Sequence, residues 1–154
     1  MDTYNGQHFQ LSWITSEIKE ETNEWAKGFG KYLAVQSDDI PDDGITIPSL
    51  TAKPMTTSQL RRFFGEIKRI ENDFDKNRND VIMLQPMLAY ASGRDRDDKT
   101  KRNKTRIGVF VEQITPAIAE IKPSNEGAEK RFKNFVKVFE AIVAYHKFYG
   151  GKES

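Results

Sequence analysis

The chain has 154 residues, the length of one ordinary domain, and 31% of them are charged. It contains no cysteine, which excludes disulfide scaffolds, zinc–thiolate sites, iron–sulfur clusters and cysteine nucleophiles. The net charge of +1 conceals an uneven distribution: residues 1–55 carry 4 Lys and Arg against 9 Asp and Glu, whereas residues 56–154 carry 20 against 14. We call these parts the acidic head and the basic body. Because screening shortens the reach of each charge, a phosphate-bearing partner responds to the basic patch rather than to the total.

The acidic head, residues 1–55, is predicted to contain one modest helix and a proline-rich loop. Apolar spacing predicts the helix over residues 12–27, and Gly28 with Gly30 argues against a longer one. Residues 37–54 contain three prolines and four aspartates without a sustained period, which predicts an ordered loop or linker. We expect the head to pack on the basic body or to be appended to it.

The basic body, residues 56–154, is predicted to contain four further helices. The clearest covers residues 57–75, where the apolar residues follow a single stripe of a 3.6-residue period, and Thr56, Thr57 or Ser58 can cap it. The other three are expected over residues 80–93, 105–121 and 126–149, with kinks at Pro86 and Pro116. No strand alternation or internal repeat is evident. The sequence predicts an all-α fold, a single compact bundle of about five helices.

The sequence contains none of the common catalytic signatures, neither a phosphate-binding glycine loop nor an H-E-x-x-H pair. His146 lies on the apolar stripe of the last helix, where a packing role is favoured over that of a base or ligand. The aspartates of the proline-rich loop could ligate a hard cation in a metal-dependent nuclease, but their spacing is not that of an EF-hand, and a solvated acidic loop is favoured. These aspartates are Asp38, Asp39, Asp42 and Asp43. We therefore predict no enzymatic activity, no metal and no cofactor.

The chain shows no targeting segment. Its first ten residues are polar and lack the basic and apolar regions of a secretory signal. No apolar stretch approaches the roughly 20 residues needed to span a bilayer. We expect a cytoplasmic protein that does not bind membranes.

The strongest local concentration of charge is the segment RDRDDKTKRNKTR, residues 94–106, with seven basic and three acidic residues. It is either a flexible, solvated loop between two helices or a surface that contacts phosphates, where Lys and Arg gain affinity by displacing condensed counterions. Its carboxylates, Asp95, Asp97 and Asp98, alternate with Arg94 and Arg96. We expect local ion pairs there rather than a metal site.

Further basic residues lie away from the apolar stripes of the predicted helices. The candidates that charge placement alone supports for contact with a nucleic-acid backbone are Arg62, Lys68, Arg69, Lys101, Arg102, Lys104, Lys130, Lys133 and Lys137. Most aromatic residues lie on core stripes, so only Tyr90 and the residues 145–149 group could stack on bases. The sequence therefore predicts sequence-independent phosphate contact rather than base readout.

Three strings carry a resemblance to a known family. They are FKNFVKVFEAIVAYHKFYGG at residues 132–151, TTSQLRRFFGEIKRI at residues 56–70 and MLQPMLAYASGRD at residues 83–95. Together they resemble the small subunit of type III-A CRISPR effector complexes, the Csm type. The resemblance covers about residues 56–151, and the C-terminal string is the most specific part. The acidic head is not matched.

The resemblance implies a helical subunit without an active site, used in antiviral defence. Several copies are expected to stack as a minor filament beside the backbone subunits, near the large subunit, and to bind the backbones of the crRNA and target RNA. Specificity then comes from base pairing between the two RNAs. Arg61 of the S-Q-L-R string and Arg94 of the glycine–arginine pair are implied RNA contacts. His146 and Glu140 are implied packing or subunit-contact residues, and Glu140 could pair with an arginine of another helix. The alternative is a helical adaptor that binds only protein.

Overall fold

The computed structural model describes residues 6–36, 43–48, 50 and 52–153. In those residues the regular structure is helical, with two isolated β-bridges and no strand, which confirms the all-α prediction. The helices are α1 (Ser12–Thr15), α2 (Glu20–Ala34), α3 (Thr57–Asn72), α4 (Phe74–Asn77), a 3-10 turn (Arg78–Asp80), α5 (Val81–Arg94), α6 (Ile107–Ala119) and α7 (Ala128–Phe148).

The longest helix, α7, is the element against which most others pack. It contacts α1, α2 and α3, while α5 packs on α6 and α3. The ring of Phe139 stacks on Phe64 of α3 at 6.0 Å and meets Phe110 of α6 edge-on at 5.6 Å, so one side chain joins three helices. Buried side chains of α1 and α2, including Trp13 and Trp25, belong to the same hydrophobic cluster as those of α3 and α5–α7.

The acidic head departs from the single predicted helix over residues 12–27, which is wrong at two points. The chain leaves helical geometry after α1 and resumes at α2, where extended Lys19 begins the helix and its N–H donates to the Thr22 hydroxyl at 3.0 Å. Helix α2 then continues through Gly28 and Gly30 to Ala34. The tertiary contact with α7 outweighs the low helix propensity of glycine.

The N-terminus of α3 is capped by Thr56, one of the three candidates, and a capping box with Gln59 completes it. Thr56 accepts from Gln59 N–H at 3.2 Å, and the Gln59 side chain accepts from Thr56 N–H at 2.8 Å. Two further first-turn donors, the N–H groups of Thr57 and Ser58, bond to carbonyls of the C-terminal segment. Helix α3 ends at Asn72, slightly before the predicted end.

Prolines lie inside two helices of the bundle. Pro86 is in α5 and Pro116 is in α6, and both helices continue past them. Each proline removes one backbone donor, so kinks at these positions remain a prediction.

The basic segment contains one cation that faces the core. Arg106 is buried, and its guanidinium donates to the carbonyls of Tyr32 at 2.8 Å, Val35 at 2.5 Å and Ala52 at 2.9 Å. Burial lowers the pKa of Arg106. Two of these carbonyls lie at the C-terminal end of α2, where a helix leaves acceptors unsatisfied and favours positive charge. Arg106 therefore fastens the end of α2 to the start of α6.

One aspartate of the proline-rich loop has a structural role. The Lys31 ammonium is buried and donates to Asp43 at 2.7 Å and to the Ile45 carbonyl at 2.9 Å. The Tyr149 hydroxyl donates to the other Asp43 oxygen at 2.5 Å. The bond from Lys31, followed by that from Tyr149, holds the pKa of Asp43 well below its usual range. Asp43 thus joins the loop to α2 and to the end of α7.

His146 is a packing residue in the structure. Its ring is buried, and Nε2 lies 2.6 Å from the Met55 carbonyl oxygen, to which it donates. Gly151 covers the ring so closely that a Cβ there would lie 2.0 Å from the imidazole. Burial lowers the pKa of His146 from its ordinary value.

The buried imidazole predicts a loss of stability in mild acid. Because the folded pKa of His146 is depressed, the unfolded chain binds more protons as the pH falls through the ordinary value of 6.5. We expect the thermal midpoint to fall between about pH 7.5 and pH 5.5. The His146→Gln variant, which keeps an N–H donor, should show a shallower dependence in the same scanning calorimetry series. Equal slopes for the two proteins would contradict the assignment.

Candidate nucleic-acid interface

The segment between α5 and α6 is an ordered hairpin, which we call the basic hairpin (residues 95–105). Arg96 and Asn103 form an antiparallel bridge, and the N–H of Asp97 donates to the carbonyl of Arg102 at 2.8 Å. The turn closes at Lys101, whose φ of 63° lies in the left-handed region. The segment therefore has a defined hairpin conformation, and whether it is flexible stays a prediction.

Two of the three carboxylates of the basic hairpin, those of Asp95 and Asp97, bond to the hairpin itself. Asp95 accepts from the Thr105 N–H at 3.0 Å and from the Asn103 amide at 3.2 Å. Asp97 accepts from the N–H groups of Thr100 at 3.0 Å and Lys99 at 2.9 Å, and these bonds lower the pKa of Asp97. The expectation of ion pairs between these aspartates and the neighbouring arginines is wrong: Asp95 and Asp97 instead accept from backbone and side-chain donors of the hairpin.

We call a cation uncompensated when it forms no ion pair. The cations of this region are exposed and uncompensated in that sense, although the charge of Lys104 contributes to lowering the pKa of Asp97. Over the described ranges, none of the following forms an ion pair: Arg94, Arg96, Lys99, Lys101, Arg102 and Lys104. Sequence reasoning did not single out Arg96 and Lys99, although they lie in the segment that it identified. Arg106, from the same segment, is withdrawn into the core.

A groove of about 260 Å³ adjoins the basic hairpin, between α3, α5 and the start of α6. Arg62, Arg94 and Asp95 all line it. The Gln59 amide of α3 donates to the Thr105 hydroxyl at 3.4 Å, which links the groove wall to the hairpin. Arg62, like Arg94, is exposed and forms no ion pair with the described part of the chain. The structure brings Arg62 rather than Arg61 together with Arg94.

The opposite flank of α3 faces α7, and its cations are compensated. Arg61 pairs with Glu153 at 3.1 Å. Lys68 pairs with Glu71 at 2.6 Å and with Glu140 of α7 at 2.9 Å, and these bonds raise the pKa of Lys68. Glu140 thus has its cationic partner on another helix, but the partner is a lysine instead of an arginine.

The remaining candidate residues also fall into those with an ion pair and those without one. Arg69 pairs with Glu66 at 2.5 Å and with Asp80 at 2.8 Å, and Lys133 lies 3.7 Å from Glu129. Lys130 and Lys137 are exposed on α7 with no ion pair to any described residue. The candidates without an ion pair are Arg62, Arg94, Lys101, Arg102, Lys104, Lys130 and Lys137. Those with one are Arg61, Lys68, Arg69 and Lys133.

In the part of the chain that the structure describes, we find neither a candidate metal site nor a helix that could span a membrane. Where the structure describes side chains, no three acidic or histidine residues gather as a metal ion would require. Asp38, Asp39 and Asp42 lie outside the described residues. Among the described helices, none has both the length and the apolarity to cross a bilayer.

Comparison with known proteins assigns the chain to a family. The family model described as Csm2 Type III-A matches residues 34–152. The chain belongs to this Csm2 family. It is accordingly a small subunit of a type III-A CRISPR effector, associated with other subunits of that complex. The match begins at the end of α2, so it includes part of the acidic head that the three strings do not cover.

Two curated relatives agree with this assignment. The CRISPR system Cms protein Csm2 of Streptococcus thermophilus is 34% identical over 104 residues, which cover 64% of this chain and 76% of the relative. The protein of the same description from Enterococcus italicus is 30% identical over 104 residues, covering 62% of this chain and 68% of the relative. No solved structure matched the chain.

Proposed function

We propose that this Csm2 family member is a non-catalytic subunit that binds the sugar–phosphate backbones of crRNA and target RNA. The basic hairpin, together with Arg62 and Arg94 of the groove, makes the contact. The observation that carries the proposal is the internal bonding of Asp95 and Asp97, which leaves the surrounding cations uncompensated. Such cations displace condensed counterions from RNA without first giving up a carboxylate partner.

The presence or absence of a carboxylate partner also separates the other basic residues by their expected contribution to RNA binding. Arg61, Lys68, Arg69 and Lys133 already hold carboxylates, so a phosphate would replace an existing partner, and the net gain would be smaller. Lys130 and Lys137 form a smaller uncompensated patch on α7. Phosphate contacts position RNA without reading bases, which suits a complex whose specificity comes from guide pairing.

We also propose how copies of the chain assemble in the effector complex. Copies of the chain stack as a minor filament beside the backbone subunits and meet the large subunit, in the cytoplasm, where the complex acts in antiviral defence. The acidic residues of the head are far in sequence from the basic hairpin. We propose that the head faces a protein neighbour or repels RNA from one side. Deletion of residues 1–55 is not a suitable test, because α2 packs directly on α7.

Removing three hairpin cations tests the RNA contact. For the combined Lys101→Ala, Arg102→Ala and Lys104→Ala variant, we expect the affinity for duplex RNA to fall about ten- to hundredfold at low salt. The slope of log affinity against log salt should become smaller by about 3, because three phosphate contacts are lost. Fluorescence anisotropy with labelled RNA between about 50 and 200 mM KCl measures both quantities.

The matched control removes the same formal charge from compensated positions. The combined Lys68→Ala, Arg69→Ala and Lys133→Ala variant should lose less than about threefold in affinity, because these cations already hold carboxylates. Equal losses in the two variants would show that total charge, not the hairpin, governs binding. A wild-type protein that enters the effector complex but binds no RNA even at low salt would favour the protein-only adaptor.

A further inference from the structure

We propose that Tyr90 and the adjoining groove form a binding site for an unpaired nucleotide of single-stranded RNA. The base stacks on the Tyr90 ring, and the phosphate lies between Arg94 and Arg62. This inference rests on the proposed RNA binding and goes beyond it, because phosphate contact alone does not favour single strands over duplexes.

Tyr90 is the tyrosine of this chain whose ring face is open in the described structure. It is 67% exposed on α5. Tyr145 is half-buried, with its hydroxyl on Asn23 at 2.8 Å, and Tyr149 is buried. An exposed aromatic ring beside free cations is the combination by which proteins hold single-stranded nucleic acids.

Tyr90 adjoins the groove through its position on α5, although it is not itself one of the lining residues. Tyr90 precedes Arg94 by four residues, so the two side chains project from the same face with Cβ atoms about 5–6 Å apart. Arg94 lines the groove opposite α3, from which Arg62 enters. Residues 81–93 contain no charged side chain, so α5 places no carboxylate between the ring and the cations. The nearest acid, Asp95, is occupied by the hairpin.

The geometry selects for an unpaired base. A base within a duplex is stacked on both faces, whereas a base in a single strand can place one face on an exposed ring. Such stacking contributes about 1–3 kcal/mol per base when it is removed by alanine. Tyr90 therefore adds affinity for single strands to an electrostatic surface that binds both forms.

Substitution of the ring separates stacking from charge. For Tyr90→Leu, which keeps an apolar side chain, we expect affinity for a single-stranded 12-nucleotide RNA to fall about fivefold or more. Affinity for a duplex of the same sequence, and the salt dependence of both, should not change. Tyr90→Trp should retain or increase the single-strand affinity. The control is Phe148→Leu, because Phe148 is 73% exposed but lies at the end of α7 instead of one turn before Arg94 on α5.

Three results would overturn the site: unchanged single-strand affinity for Tyr90→Leu, an equal loss on duplex RNA, or an equal loss for Phe148→Leu. Reduced self-association with unchanged RNA binding, seen by light scattering after size exclusion, would also overturn it. That result would assign Tyr90, with exposed Ile82 and Met83, to a protein contact. Failure of the RNA-binding proposal itself is distinguishable, since it appears as weak, salt-insensitive binding of the wild type to both RNAs.

Discussion

Replacing Arg106 with methionine is expected to destabilise the fold by about 4 kcal/mol, because three buried carbonyl groups lose their donor and each costs about 1–3 kcal/mol unsatisfied. The guanidinium donates to the carbonyls of Tyr32, Val35 and Ala52. Methionine keeps most of the apolar stem, so the change isolates the hydrogen bonds. Urea unfolding followed by circular dichroism measures the difference in the free energy of unfolding.

The control for Arg106 comes from the same segment of sequence. Arg102 is exposed in the basic hairpin, and Arg102→Met should change the free energy of unfolding by less than about 0.5 kcal/mol. The two variants should show the reverse order in RNA affinity, provided that Arg106→Met is measured where it remains folded. A loss of less than about 1 kcal/mol for Arg106→Met would mean that water or rearranged backbone satisfies the carbonyls.

The helices of the basic body follow from sequence because their signals are local. The apolar stripe of α3 lies within 16 residues, and the capping box of Thr56 and Gln59 spans four. The role of Arg106 is not local, because its acceptors are 54 to 74 residues away. Its sequence neighbours are exposed cations, and nothing in the letters RNKTR marks the last arginine as buried. Only the approach of α2 to the start of α6 decides which cation enters the core.

The candidate interface also has one feature that the sequence predicts and one that depends on tertiary structure. Composition identifies the basic segment, but it does not indicate which cations are compensated. Lys68 meets Glu140 across 72 residues of sequence, a pairing that depends on how α3 and α7 pack. Within the hairpin, sequence proximity favours pairs between aspartates and arginines, yet the turn geometry gives the carboxylates backbone donors instead. The uncompensated set is therefore a property of the tertiary structure.

Gly30→Ala and Gly28→Ala, two residues apart in α2, are expected to change stability in opposite directions. A Cβ on Gly30 would lie 2.7 Å from the Tyr145 Cβ and 3.0 Å from the His146 backbone nitrogen. Because neither atom can move without shifting α7, we expect Gly30→Ala to cost about 3 kcal/mol, the upper part of the range for overpacking. At Gly28 the nearest atom would be 3.9 Å away, so alanine should stabilise by about 0.5–1 kcal/mol.

The opposite signs test why glycine is present at each position. If low helix propensity were the decisive property, both substitutions would stabilise α2, and the helix would be strengthened equally at two neighbouring sites. If close packing is decisive, the thermal midpoint should fall for Gly30→Ala and rise for Gly28→Ala. Gly30 would then be the residue that allows α2 to approach the backbone of α7, at the contact that joins the acidic head to the basic body. An increased thermal midpoint for both variants would show that α7 can move away from α2 without a loss of stability. The contact between α2 and α7 would then be less tightly packed than the distances indicate.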